Sequence, residues 1–127
     1  MNRVGVSCLV VVLVLAGFYF LPASCRASSV PQVPAKGMVT MVDLGANKCI
    51  VCKMMSSIVD SLQKEYKGRA DIVFIDVWEH PGEGQKFGIK LIPPQIFFDR
   101  NGKEVYRHQG LMPKSAIVSK LEEMGVK

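Results

Sequence analysis

Cys49 and Cys52 stand where a short β-rich apolar run gives way to a helical periodicity, and no other feature of this 127-residue chain restricts its fold as much. Two thiols spaced Cys-x-x-Cys come within bridging reach at the first turn of a helix, because a disulfide needs Cα atoms about 5.5 Å apart. Upstream, Val39-Thr-Met-Val-Asp-Leu44 is short, apolar and rich in β-branched residues, and it stops at Gly45, as a buried strand does. Downstream, Val51, Met55, Ile58, Val59 and Leu62 recur at helical spacing while Lys53, Asp60, Gln63, Lys64 and Lys67 are polar, and Gly68 supplies a stop. Asp71-Ile-Val-Phe-Ile-Asp-Val77 reads as a second buried strand. A strand-helix-strand order implies a right-handed parallel crossover.

The remainder is shorter in period. Residues 81–88 are polar and glycine-rich, with room for a short helix near Glu83 to Phe87. Gln95 to Asp99, then Asn101-Gly102, then Glu104 to His108 is apolar strand, turn and second strand, a hairpin signal. A last helix opens with Pro113 in its first turn and buries Ile117, Leu121 and Met124. The expected fold class is α/β: a central four-stranded mixed sheet, built as β-α-β then β-β-α, with helices on both faces.

The amino-terminal stretch lies outside that plan. Arg3 precedes an uncharged apolar run from Val4 to Leu21, and small residues follow at Ala23, Ser24, Cys25 and Ala27. Such a run is at the short end of a membrane span, so residues 1–27 are expected to be a signal peptide cleaved after Ala27 or an amino-terminal membrane anchor. A lipidated Cys25 fits less well, because Pro22 stands where the lipoprotein signal has an apolar residue. With the positive charge ahead of the apolar run, everything after Leu21 is expected outside the cytoplasm, in the periplasm or an equivalent compartment. Residues 28–38 carry Pro31 and Pro34 and no period, so a linker is expected there, followed by one domain over 39–127. The net charge of +5 comes from scattered basic residues, which argues for solubility and against nucleic-acid binding.

Of the four cysteines, Cys8 and Cys25 fall in or beside the targeting segment, which leaves one pair in the folded part and excludes a disulfide-stapled scaffold. Free amides and the macrodipole at a helix start lower a cysteine's pKa, and Lys48 and Lys53 add positive potential. Cys49 is therefore expected to be the attacking nucleophile and Cys52, deeper by a turn, the resolving thiol. A structural bridge and a metal site are the competing readings. Zinc needs more ligands than this pair, and His80 and His108 lack paired spacing with it. Met41, Met54 and Met55 add soft thioether sulfur, so a non-catalytic copper(I) carrier or scaffold stays open as the rival function. Met55 and Met41 are assigned to packing, and the commitment is to no metal and no cofactor. Asp43, a carboxyl inside an apolar strand, is expected to hold its proton unusually tightly unless it faces solvent at the strand end.

Two segments carry a family resemblance. Val42-Asp-Leu-Gly-Ala-Asn-Lys48-Cys49-Ile-Val-Cys52-Lys53-Met54-Met55 resembles the active-site region of thioredoxins, and Phe87-Gly-Ile-Lys-Leu-Ile-Pro93-Pro94-Gln95 resembles their Tyr-Gly-Ile-x-x-Ile-Pro-Thr loop. The resemblance covers Val39 to Met124 and implies the thioredoxin-like superfamily. It further implies a cis Ile92–Pro93 bond facing the cysteines, with the Ile92 backbone pairing with substrate and Gly110 leaving room for it. It implies that Asp43 carries the proton of the resolving thiol, although the lysine that accompanies this acid in many thioredoxins is replaced by Phe74. Trp78 is expected to pack.

Between the cysteines, Ile50-Val51 supplies no histidine to stabilise a thiolate, which argues against a strong oxidant. The function expected is an exported, monomeric thiol-disulfide oxidoreductase that reduces cysteine pairs in other exported proteins and draws electrons from a membrane donor. Oxidase or isomerase direction would use the same residues.

Overall fold

The computed structural model describes residues 30–127. The apolar run of residues 4–21, and with it the expected signal or anchor, lies outside the described residues. Among those described, no helix is long and apolar enough to cross a membrane.

The residue types that prefer extended backbone form β1 (Thr40–Gly45), β2 (Asp71–Asp76), β3 (Pro94–Phe98) and β4 (Glu104–Gln109). The helices are α1 (Ile50–Glu65), the single-turn-and-a-half α2 (Pro81–Lys86) and α3 (Lys114–Glu123). The sheet order is β2-β1-β3-β4. β1 and β2 run parallel, with Asp43 opposite Phe74 and Gly45 opposite Asp76, while β1–β3 and β3–β4 are antiparallel. The hairpin closes on Asp99, whose Oδ1 accepts from the N–H groups of Asn101 and Lys103 while Gly102 takes φ +78°.

Alternation along the strands sorts the core into two layers. On one face Val39, Met41, Ile72 and Phe97 pack against Met55, Val59 and Leu62 of α1 and Ile117 and Leu121 of α3. Full burial of each such side chain contributes about 1.5–3 kcal/mol, which makes this face the larger source of stability. On the other face Val42, Leu44, Val73, Ile75, Ile96 and Phe98 are covered by Val77 and by Phe87 and Ile89, which follow α2.

Two expectations need correction. The segment read as a linker is attached to the domain: Val33 is buried in the second layer, Val30 packs beside it, and the Ala35 N–H donates to Thr40 Oγ1. That apolar face has only the short α2 above it, so an additional stretch of chain gains by covering it. Trp78, expected to pack, is 58 % exposed. The cause is Asp76, whose Oδ1 accepts from the N–H groups of Trp78 and Glu79 and turns the chain out of the sheet before the indole reaches either layer.

Candidate functional site

Parallel pairing of β1 with β2, and antiparallel pairing of β3 with β1 and of β4 with β3, gathers four connections at one end of the sheet. They are the β1–α1 loop with the cysteines, the turn after β2 with Trp78, the approach to β3 with Ile92 and Pro93, and the exit from β4 at Gly110. Sequence analysis selected site residues from three of them, and none from the turn after β2, where Trp78 was expected to pack.

Cys49 is the N-cap of α1, with extended backbone (φ −88°, ψ 125°), and its Sγ accepts the Cys52 N–H at 3.3 Å. A sulfur placed there meets a free amide and the positive end of the helix. Cys49 and Cys52 form a disulfide with Cα atoms 5.1 Å apart. Cys49 is partly exposed, whereas Cys52 is only 1 % exposed. One sulfur can therefore meet a partner's sulfur while the other is reached only from within the domain. Around them the surface is apolar, with Ile50 79 %, Met54 55 % and Leu91 68 % exposed.

The Ile92–Pro93 peptide is cis, as is Val33–Pro34. The loop before β3 is clasped from β4: the Gly110 N–H donates to the Pro93 carbonyl at 2.8 Å and Gln109 Nε2 to the Leu91 carbonyl at 3.0 Å. Gly110 has φ +95°, which itself calls for glycine, and a Cβ there would meet no protein atom within 4 Å.

Asp43 lies on the α1 side of the sheet, since it shares its strand face with Met41, and it is completely buried. Burial pushes its pKa up from 3.8 to about 6, against the opposing effect of the hydrogen bond from Gln95. Gln95 Nε2 donates to Asp43 Oδ1 at 2.8 Å, while Asp43 Oδ2 and Gln95 Oε1 are buried with no partner in the structure. Phe74 occupies the β2 position opposite Asp43.

Gly45 is the point at which strand, helix and Phe74 meet. A Cβ on Gly45 would stand 2.9 Å from Phe74 Cε2 and 3.2 Å from Cys52 Cβ. Gly45→Ala is expected to lower the stability of the oxidised protein by about 1–3 kcal/mol, because either the ring or the helix start must move. A denaturant midpoint equal to that of the wild type would show that the ring gives way freely.

Sequence reasoning missed Gln95 and Asp76. Asp76 Oδ2 accepts the Asn47 N–H at 2.9 Å, tying the end of β2 to the loop that delivers Cys49. Burial of Asp76 opposes ionisation, but the N–H donors of Asn47, Trp78 and Glu79, with the nearby His80, outweigh it and hold the carboxyl below its usual pKa. An aspartate ending a β-rich run just before a turn was the available signal. Gln95 offered only its polarity within an apolar run. Among the described residues, no group of three or more His, Cys, Asp or Glu side chains is arranged to hold a metal ion.

Comparisons with known proteins agree with this geometry. The thioredoxin family model matches residues 28–123. Thioredoxin of Staphylococcus aureus is 34 % identical over 85 residues, covering 67 % of this chain and 81 % of its own, and that of Staphylococcus haemolyticus is 35 % identical over the same span. Among solved structures, a Nicotiana alata thioredoxin superposes with a TM-score of 0.61 at 31 % identity, over 69 % of this chain and 74 % of that one. Fasciola hepatica thioredoxin gives 0.62 at 25 % identity, over 70 % and 83 %. On its fold, its matched span and its Cys49–Cys52 pair, this chain belongs to the thioredoxin family and is a thiol-disulfide oxidoreductase.

Proposed function

We propose that this protein is an exported reductant of disulfides in other exported proteins, resupplied with electrons by a membrane donor and acting as a monomer. The observation that carries the reading is the unequal pair at the start of α1, Cys49 partly open and Cys52 sealed. In the reduced protein the Cys49 thiolate attacks a client disulfide; a Cys49–client bond forms and one client sulfur leaves as a thiolate. Asp43 then accepts the Cys52 proton, the Cys52 thiolate attacks Cys49, and the second client sulfur departs. The client gains two electrons, and the Cys49–Cys52 disulfide is the oxidised product. In this reading the cis Pro93 and the Ile92 backbone hold an extended client segment, with the open space over Gly110 receiving it. Clients are proteins, and no cofactor takes part.

Export rests on the Val4–Leu21 run that follows Arg3. The reductive direction rests on the residues between the cysteines. Ile50 and Val51 are exposed and bring no donor or positive charge to the Cys49 sulfur, so its thiolate is less stabilised than a strong oxidant requires. Equilibration with glutathione is the test. A midpoint of about −200 to −270 mV is expected, and one above about −150 mV would reverse the assigned direction.

A further inference from the structure

The buried amide of Gln95 is not accounted for by packing. It lies in β3 directly opposite Asp43, completely buried in a strand whose other members are proline, isoleucine and phenylalanine. A polar side chain in such a place costs stability unless it is hydrogen-bonded, and Gln95 uses only one end of its amide. Phe97, two residues on, occupies the same sheet face and packs against α1 and α3 as an ordinary core residue does.

The surroundings of the carboxyl explain the amide. β2 presents the Phe74 ring. α1 places Cys52 beside Gly45 and Phe74, and the layer on this face of the sheet is otherwise apolar, with Met55 of α1 and Ile117 and Leu121 of α3. Met41 and Gly45 flank it on its own strand. Lys48 and Lys53, the cations nearest the cysteines in sequence, are exposed. Beyond Gln95, β4 places His108 opposite that amide; from the elements that border Asp43 itself, the titratable group is the Cys52 thiol of the reduced protein. Nothing except Gln95 offers the carboxylate compensation among the described residues.

We infer that Gln95 is a positioning residue for proton transfer: by holding Asp43 Oδ1, it leaves Oδ2 as the oxygen that takes and returns the Cys52 proton, and it stands in for a cation as the group that stabilises the carboxylate. The inference rests on the proposed role of Asp43 as proton carrier. It accounts for the unpartnered carboxyl oxygen: Oδ2 is the exchanging atom, and Oδ1 remains an acceptor for Gln95 Nε2 whether or not Oδ2 carries the proton. Gln95 therefore has a hydrogen bond to make in either protonation state, which phenylalanine or leucine in its place would not.

The test uses the protein as the cell makes it, reduced, with the Asp43 carboxyl carbon followed by NMR across pH and peptide-disulfide turnover measured over the same range. In Gln95→Met, close in size and without the donor, the Asp43 midpoint and the Asp43-linked inflection of turnover are both expected to rise by about one pH unit, about tenfold in proton affinity. A variant that is merely less stable but keeps both midpoints overturns the inference. Asp43→Asn separates the two readings. If it removes the inflection while Gln95→Met leaves it in place, Asp43 is the carrier and Gln95 is not its positioner; if the inflection survives Asp43→Asn, the carrier role itself is lost. Should Gln95→Met fail to fold, the wild-type Gln95 side-chain amide resonances decide. They are expected to titrate with the Asp43 midpoint, and amide signals indifferent to it would overturn the assignment.

Discussion

Cys49→Ser is expected to reduce peptide-disulfide turnover roughly a thousandfold or more, down to the background of uncatalysed thiol exchange. Cys52 cannot substitute, because it is 1 % exposed and no client sulfur can line up with it. Cys52→Ser has the opposite signature. Cys49 still attacks, but the mixed disulfide has no neighbouring thiolate to break it, so covalent complexes accumulate. Expressed in cells and resolved on non-reducing gels, this variant is expected to hold exported proteins through Cys49. If Cys52→Ser accumulates no adduct and Cys49→Ser turns over normally, the assigned order of attack is wrong. Adducts formed only with cytoplasmic proteins would remove the proposal of export while leaving the chemistry intact.

The other large effect is on stability and comes from Asp43. Its pKa in the folded protein is about 6, above the ordinary 3.8, so the folded state holds this proton more tightly than the unfolded chain does. Stability from this group is therefore complete below the unfolded value. It falls as pH rises from about 4 to about 6 and stays diminished above that. A shift of this size corresponds to about 3 kcal/mol at neutral pH. Asp43→Asn, which keeps the shape and carries no charge, is expected to recover most of it: the oxidised variant should be about 2–3 kcal/mol more stable than the wild type near pH 7.5 and nearly equal near pH 4. Denaturant unfolding at the two pH values measures the difference. Equal stability at both would mean that the buried carboxylate is solvated or paired when the protein is folded. The same variant is expected to be slower in turnover, so a gain in stability accompanied by a loss of rate would identify a group retained for chemistry at a cost to the fold.

The physical reason that much of this was legible without coordinates is that the decisive signals are local. The β-rich run that stops at Gly45, the helical period through Met55, Val59 and Leu62, and the Asn101-Gly102 turn each act over a few residues, and each appears in the structure as an element of the expected type. Cys49 at the cap and Cys52 beneath it follow from the same local geometry, since one helical turn sets both their separation and their unequal burial. Where local reasoning failed, a side chain's fate depended on something outside its own segment. Trp78 is exposed because the Asp76 carboxylate captures the amides beyond it, and Val33 is buried because the second face of the sheet lacked cover.

Sequence alone determined the strand and helix types, their order and the cysteine pair at the junction, because backbone preference and hydrophobic period are properties of short stretches of chain. Only the tertiary structure decided that Gln95 meets Asp43, 52 residues away, since that contact exists through the register of β3 on β1. A shift of that register by one residue would turn Gln95 to the opposite face of the sheet and leave the carboxyl without its partner.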